Sequence, residues 1–206
     1  MSYRLFVKEN LDTITDEELG LALASLPEWR REKALLFKHR QGRIECAFSY
    51  LLLCQALRET YGITEQPSFL IGEHGKPELS LNSKPLALNP KLSTLNFNIS
   101  HCKQALAVAV STSPVGIDVE SVGRYSESLA RHVLNDSEFA EVSQSPNPQI
   151  PFTRLWTQKE AVVKLTGRGI DDDLPNLLLK YNNVFLHTEE HLAQGYILSV
   201  ATYKNS

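Results

Sequence analysis

Alternating apolar and polar residues predict short strands at several points along the chain. Leu95, Phe97 and Ile99 alternate with asparagines, which is the period-two pattern of a half-buried strand. The apolar stretch 105–110 and the segment 115–120 both have strand length, and the polar residues between them predict a hairpin. Four further segments are predicted as strands: 3–7, 177–181, 184–187 and 195–203.

Apolar residues at helical spacing predict helices between these strands. Thr15 and Glu18 form a capping-box pattern that begins a helix toward residue 25, and Pro27 suits the first turn of the next helix. A third helix is predicted from about 43 to 61, ending at Gly62, and a fourth from about 152 to 166. Proline and asparagine predict turns and loop from 75 to 91. Helices mixed with short, mostly antiparallel strands in each half indicate an α+β fold.

Composition excludes several classes of protein. The 206 residues are 42% hydrophobic, which is enough for a core, and the net charge of −3 gives no chain-wide basic field for nucleic acid. The three cysteines lack C-x-x-C spacing, which argues against a disulfide framework or a zinc ribbon and fits a reducing compartment. No run approaches the ~20 apolar residues of a membrane helix, and the N-terminus has no signal-peptide pattern. We therefore expect a cytoplasmic protein that binds neither membranes nor nucleic acid.

Two acidic residues share one face of the strand predicted at 115–120. In the sequence Gly-Ile-Asp-Val-Glu, Asp118 and Glu120 are two positions apart and so point to the same side. Carboxylates at this spacing can share a hard cation such as Mg²⁺. A strand with a solvated outer face explains the same pattern, so both interpretations stay open here.

The helix predicted at 152–166 carries a second candidate pattern. Trp156, Glu160 and Lys164 recur one turn apart and share one face. A glutamate and a lysine there could hold a metal ion and a phosphate group together. An ordinary salt bridge between residues four apart, worth a few tenths of a kcal/mol, is the alternative.

Three further segments have side chains suited to phosphate. Ser100 and His101 end a predicted strand. A G-x-S-x-G turn around the serine would favour nucleophilic catalysis, but the sequence has no such turn here. Lys76 lies in a Gly-Lys-Pro turn. The segment 30–43 is basic, although a solvated helix face is the ordinary explanation of such a run. Its basic residues are Arg30, Arg31, Lys33, Lys38, Arg40 and Arg43.

In combination, these segments resemble the Sfp-type 4′-phosphopantetheinyl transferases. The blocks G-K-P, F-N-I-S-H, G-I-D-V-E and W-T-Q-K-E-A-V-V-K-L-T-G-R-G stand in that family's order, and the resemblance covers about residues 30–170. It implies transfer of the phosphopantetheine arm of coenzyme A to a serine of an apo acyl or peptidyl carrier protein, with release of 3′,5′-ADP. It also implies two similar halves in a pseudo-twofold arrangement, expected at 1–104 and 105–206, with coenzyme A in the cleft between them.

The resemblance further implies roles for individual residues. Asp118, Glu120 and Glu160 would bind Mg²⁺, or Mn²⁺ in its place, and Lys164 would contact the pyrophosphate. Glu160 would accept the proton of the carrier serine, directly or through a water molecule, so Asp118, Glu160 and Lys164 are the expected catalytic residues. Coenzyme A phosphates would be bound by Arg30, Lys33, Arg43, Lys76, Ser100, His101 and Lys164.

Two other functions are weighed against this one. A metal-dependent phosphohydrolase would use the same three carboxylates, but it would not explain the G-K-P and F-N-I-S-H blocks. A non-catalytic module that binds coenzyme A or a carrier protein would not need Asp118, Glu160 and Lys164 to be intact. For the transferase we expect a monomer and an acidic carrier protein that docks on the segment between Glu120 and Pro151.

Overall fold

The chain forms two compact units, Met1–Ser113 and Pro114–Ser206. The computed structural model describes residues 3–71, 77–80, 95–123, 125–167, 169 and 173–204. Both units combine helices with antiparallel strands, which confirms the predicted α+β class. The sequence predicts halves at 1–104 and 105–206, whereas the structure keeps 105–113 with the first unit.

The first unit sets a long helix against a three-stranded antiparallel sheet. The strand Ala105–Ser111 lies in the middle of this sheet, between Tyr3–Glu9 and Asn96–His101. Leu53 and Leu57 of this helix pack with Leu106 and Val108 of the central strand. In chain order the elements are β1 (Tyr3–Glu9), α1 (Asp16–Ser25), α2 (Glu28–Leu35), α3 (Arg40–Tyr61), β2 (Ser68–Ile71), β3 (Pro77–Ser80), β4 (Asn96–His101) and β5 (Ala105–Ser111).

The predicted ends of the helices in this unit are confirmed. The Thr15 hydroxyl accepts a hydrogen bond from the Glu18 backbone N–H, and the Glu18 carboxylate accepts one from the Thr15 N–H. Gly62 caps α3 with a φ of 69°, a left-handed conformation that glycine adopts without a Cβ penalty. The prediction of a loop from 75 to 91 is wrong at 77–80, because these residues form the strand β3, which pairs with β2. The rest of that loop lies outside the described residues.

The predicted hairpin between 105–110 and 115–120 is also wrong. β5 is buried along its whole length and hydrogen-bonds to β1 on one edge and to β4 on the other. Both edges of β5 are therefore occupied, and the next strand pairs within the second unit instead.

The second unit sets another long helix against a three-stranded antiparallel sheet. The strand Tyr196–Tyr203 lies in the middle of this sheet, between Val115–Ser121 and Val184–His191. In chain order its elements are β6 (Val115–Ser121), α4 (Glu127–Val133), α5 (Asp136–Gln144), α6 (Gln149–Thr166), α7 (Leu177–Lys180), β7 (Val184–His191) and β8 (Tyr196–Tyr203). Among the described residues, no helix has both the length and the apolar character needed to cross a membrane.

Two parts of this unit differ from the sequence prediction. The segment 177–181 is predicted as a strand, but 177–180 forms the short helix α7. A short apolar run cannot be assigned by periodicity alone, and leucine and lysine favour helix over strand. The helices α4 and α5 were not predicted, although Asn135 and Glu138 supply a reciprocal capping box at the start of α5.

A carboxylate on the edge strand β7 accepts hydrogen bonds from two histidines. Nε2 of His187 lies 3.0 Å from Glu189 Oε1, and Nε2 of His191 lies 3.1 Å from Glu189 Oε2. Burial raises the pKa of Glu189, but the hydrogen bonds and the electrostatic effect of the two histidines together lower it below the ordinary value of 4.5. Glu189 therefore links folding stability to pH.

Replacing Glu189 with glutamine is expected to lower the free energy of unfolding at pH 7 by about 0.5 kcal/mol, at the lower end of the range for a hydrogen bond within a protein. A carboxyl group with a lowered folded pKa stabilises the protein above its unfolded pKa and loses that contribution as pH falls through the folded pKa. The difference between wild type and variant should therefore disappear near pH 3. Urea unfolding at both pH values measures it, and an equal difference at the two would contradict the prediction.

Candidate active site

The strand β6 and the helix α6 approach each other closely at Gly116. A Cβ atom at this position would lie 2.0 Å from the carbonyl oxygen of Ala161 and 2.5 Å from the backbone nitrogen of Leu165. No L side chain fits in that space without moving the helix. Glycine here brings the polar face of α6 down onto the strand that carries the two predicted acidic residues.

Asp118 and Lys164 form an ion pair across this contact. Lys164 Nζ donates a hydrogen bond to Asp118 Oδ1 at 2.6 Å. Asp118 is only 4% exposed, whereas the Lys164 side chain is 29% exposed. The interpretation of Asp118 as part of a solvated outer face is therefore wrong, because α6 covers this face of the sheet.

Glu160 and Glu120 extend the pair into a cluster of three carboxylates and one ammonium group. Burial raises the pKa of Glu160, and the nearby negative charges of Asp118 and Glu120 raise it further, against the opposite effect of Lys164. Glu120 accepts a hydrogen bond from Nε1 of Trp156, at 3.2 Å from Oε1. The structure thus brings together the predicted residues of β6 and α6.

The donor set of this cluster fits a hard divalent cation. Carboxylate oxygens are the protein ligands that Mg²⁺ prefers, and Mg²⁺ needs only one or two of them beside water and phosphate. Like charges that raise the pKa of Glu160 would be neutralised by such an ion. In the part of the chain that is described, no three histidine, cysteine or acidic side chains converge closely enough to form a complete metal site.

An apolar pocket of about 110 Å³ adjoins the carboxylate cluster. The rings of Phe152 and Trp156 lie nearly parallel along it, with centroids 6.5 Å apart. Its lining combines these rings with a leucine and three polar side chains: Glu120, Ser121, Leu129, Phe152, Thr153 and Trp156.

The predicted phosphate ligands Ser100 and His101 end β4 in the first unit. Ser100 is 7% exposed, and His101 is more accessible. Nδ1 of His101 lies 3.5 Å from Oε2 of Glu45 on α3. The sequence pattern gives no indication of this contact, because Glu45 and His101 lie on elements that are distant in sequence.

The predicted basic ligands of the first unit have different environments. The guanidinium of Arg30 donates to the Cys46 carbonyl oxygen at 2.9 Å and lies over the rings of Tyr50 and Phe69. Nε of Arg43 donates at 2.9 Å to the carbonyl oxygen of Phe37, in the turn between α2 and α3. These contacts stabilise the packing of α2 and α3. Lys33 is exposed on α2, and Lys76 lies outside the described residues.

Lys159 is a buried lysine to which the sequence pattern assigned no role. Its side chain is fully buried, and Nζ lies 2.8 Å from Glu138 Oε2, 3.0 Å from the Leu174 carbonyl oxygen and 2.7 Å from that of Pro175. Burial lowers the pKa of Lys159, and the pairing with Glu138 opposes that effect. Its helical spacing from Leu155 was a usable signal, because that spacing places it on the buried face of α6.

Comparison with known proteins shows which proteins the segment around this cluster is similar to. The model of the 4′-phosphopantetheinyl transferase superfamily matches residues 114–199, which include the whole carboxylate cluster. A 4′-phosphopantetheinyl transferase of Bacillus subtilis is 28% identical over 151 residues, 72% of this chain and 63% of the relative. The segment 114–199 is thus similar to the 4′-phosphopantetheinyl transferase superfamily, and the rest of the chain lies outside that match.

Other members of the superfamily match over similar or shorter lengths. The 4′-phosphopantetheinyl transferase Sfp of Bacillus subtilis strain 168 is 24% identical over 160 residues, 76% of this chain and 67% of Sfp. The 4′-phosphopantetheinyl transferase AcpT of Salmonella typhimurium is 33% identical over 123 residues, 54% of this chain and 59% of AcpT. The chain thus spans about two thirds or less of the length of these relatives.

Proposed function

We propose that this chain transfers the 4′-phosphopantetheine arm of coenzyme A to a serine of an apo acyl or peptidyl carrier protein and releases 3′,5′-ADP. The observation that carries the proposal is the cluster of Asp118, Glu120, Glu160 and Lys164 on β6 and α6. The cluster lies in the segment that matches the superfamily, and the relatives are named as 4′-phosphopantetheinyl transferases.

The chemistry of the cluster suits this reaction. The serine oxygen forms a bond to the β-phosphorus of coenzyme A, and the bond from that phosphorus to the bridging oxygen breaks, so that the oxygen leaves with 3′,5′-ADP. Such a step depends mainly on positioning and on stabilising negative charge. The Lys164 ammonium group is placed beside Asp118 to stabilise the charge on the leaving phosphate. Mg²⁺ or Mn²⁺, bound by the three carboxylates, would supply further neutralisation of the phosphate charge.

Glu160 is the proposed acceptor of the serine proton, directly or through a water molecule. Burial and the negative charges of Asp118 and Glu120 raise its pKa in the metal-free protein. A cation bound by the same carboxylates would oppose that rise, which favours the route through a water molecule.

The remaining substrate contacts are proposed from the accessible side chains of the first unit and from the apolar pocket. Arg30, Lys33, Arg43, Lys76, Ser100 and His101 are the proposed ligands of the coenzyme A phosphates, of which Lys33 and His101 have the more accessible side chains. We assign the pocket beside Glu120 to the aliphatic part of the pantetheine arm, because it is apolar and adjoins the carboxylates.

The wider arrangement also stays a proposal. Each unit by itself sets a long helix against a three-stranded antiparallel sheet, which supports the predicted similarity of the two halves. Their pseudo-twofold arrangement and the coenzyme A cleft are proposed from the resemblance alone. The three cysteines, which all lie in the described part of the chain, form no disulfide, and this supports a reducing, cytoplasmic location. The proposed protein is a monomer, and an acidic carrier protein is proposed to dock on residues 120–151.

Intact-protein mass spectrometry tests the reaction. The protein would be mixed with coenzyme A, Mg²⁺ and a panel of apo carrier proteins, and a mass gain of about 340 Da on one carrier is expected, the size of the phosphopantetheine arm. Asp118→Asn should lower the rate at least about 100-fold, the scale of losing one electrostatic contact to the transition state. Asp12→Asn, at an exposed aspartate in the first unit, is the matched control and should transfer normally.

The other outcomes separate the competing functions. Release of 3′,5′-ADP without any carrier protein would favour a phosphohydrolase. Binding of coenzyme A without a mass gain on any carrier would favour a binding module. If the protein neither bound coenzyme A nor transferred its phosphopantetheine arm, the proposed function would be contradicted.

A further inference from the structure

Trp156 joins the apolar core of the second unit to one carboxylate of the cluster. One face of its indole lies along Phe152, with the rings 21° from parallel, and Phe152 in turn packs edge-on against Tyr125. At its polar edge, Nε1 donates to Oε1 of Glu120. Packing fixes the ring, and the fixed ring directs its single N–H at one oxygen of Glu120.

This contact restricts the orientation of Glu120. A glutamate near the end of a strand has several side-chain torsions available, and Glu120 is only half-buried. A hydrogen bond to Oε1 from a donor that cannot move selects one of these orientations. Asp118, two residues earlier on the same face, is oriented instead by Lys164. Each carboxylate of β6 thus has its own donor from α6.

We propose that Trp156 is a positioning residue, whose N–H holds Glu120 in the orientation that binds the divalent cation. This inference rests on the proposed function, since Glu120 is a metal ligand only if the carboxylate cluster binds an ion. Hydrogen bonds to the ligands of a metal ion commonly determine its affinity, and their loss costs about 10–100-fold.

Binding of Mn²⁺ to the full chain, measured by electron paramagnetic resonance with and without coenzyme A, tests the proposal. Trp156→Phe keeps an aromatic ring and removes the N–H, and it should raise the Mn²⁺ concentration for half-saturation about tenfold. Excess Mn²⁺ should raise its rate of transfer more than it raises the rate of the wild type. A merely structural role would lower that rate and the thermal stability without moving the half-saturation point.

Two control variants separate the hydrogen bond from packing. Trp29→Phe alters the other tryptophan, which packs edge-on against Tyr50 in the first unit, and should bind Mn²⁺ normally. Phe152→Leu loosens the packing against the indole but leaves its N–H in place, and should weaken Mn²⁺ binding less than Trp156→Phe does if the hydrogen bond decides affinity. Phe152→Leu binding as weakly as Trp156→Phe would overturn the proposal in favour of packing.

A double-variant cycle tests whether Trp156 acts through Glu120. Trp156→Phe should weaken Mn²⁺ binding no further in a Glu120→Gln background, because the interaction is already lost there. Normal binding by Trp156→Phe, or an effect that adds fully to that of Glu120→Gln, would overturn this inference but not the proposed metal site. Failure of the wild type to bind Mn²⁺ with or without coenzyme A would overturn the proposed metal site and this inference together.

Discussion

Replacing Glu160 with glutamine is expected to lower phosphopantetheine transfer by roughly 10²–10⁴-fold, the range for losing a general base. The amide has nearly the shape of the carboxylate but cannot accept the serine proton as a base, and it is a weaker ligand for a cation. Because Glu160 is near Asp118, Glu120 and Lys164, its charge contributes directly to the proposed chemistry. Steady-state rates with the preferred carrier measure the effect, and turnover near that of the wild type would contradict the role of Glu160.

The same substitution is expected to stabilise the metal-free protein at pH 8. The pKa of Glu160 is raised in the folded state, so wild-type stability decreases as pH rises from the ordinary value of 4.5 through the folded pKa. Glutamine does not ionise and avoids this loss, so the stability difference should appear at pH 8 and vanish near pH 4. Glu17→Gln, at an exposed position of α1, is the matched control and should keep full activity. A less stable Glu160→Gln variant would instead indicate that lost activity reflects misfolding.

Replacing Gly116 with alanine is expected to destabilise the protein by more than about 4 kcal/mol, a loss reserved for severe steric or polar defects. The added Cβ would lie 2.0 Å from the Ala161 carbonyl oxygen and 2.5 Å from the Leu165 nitrogen. Both are backbone atoms of α6, so relief requires the helix to move away from β6. That movement separates Asp118 from Lys164, and activity should be lost even where folded protein remains.

Thermal unfolding measured by circular dichroism tests this expectation. For a chain of this size, 4 kcal/mol corresponds to a fall in the unfolding midpoint of roughly 8–16 °C. Gly20→Ala is the matched control, since a Cβ at this exposed position of α1 would meet nothing within 4 Å. It should leave the protein unchanged or stabilise it by about 0.4–1 kcal/mol. A Gly116→Ala protein as stable as Gly20→Ala would show that β6 and α6 are less closely packed than described.

Local patterns in the sequence predicted the elements, and pairing between distant segments decided where the prediction failed. The capping box at Thr15 and the glycine cap at Gly62 depend on residues close in sequence and were predicted correctly. The assignment of 105–110 to a hairpin failed because β5 has two partners, one of them nearly a hundred residues away at the N-terminus. No local pattern reports that pairing.

In the candidate site too, the sequence predicted what depends on local spacing and missed what depends on contacts between distant segments. Spacing along β6 and α6 predicted that Asp118 and Glu120 share a face, as do Glu160 and Lys164. It did not predict that the two faces meet, since that depends on the close approach at Gly116. Arg30 shows the converse, because the pattern marks it as a phosphate ligand while the fold gives its guanidinium contacts with Cys46 and two rings.

The neighbours Lys159 and Glu160 point to different sides of α6, about 100° apart, and this has a consequence for the evolution of the chain. One anchors the carbonyl groups of Leu174 and Pro175, and the other belongs to the carboxylate cluster. Each residue inserted into a helix turns everything beyond it by about 100°. A single insertion or deletion inside α6 before this pair would therefore misdirect both charges at once. We expect natural variants of this helix to differ by substitution, and to change length only at its ends.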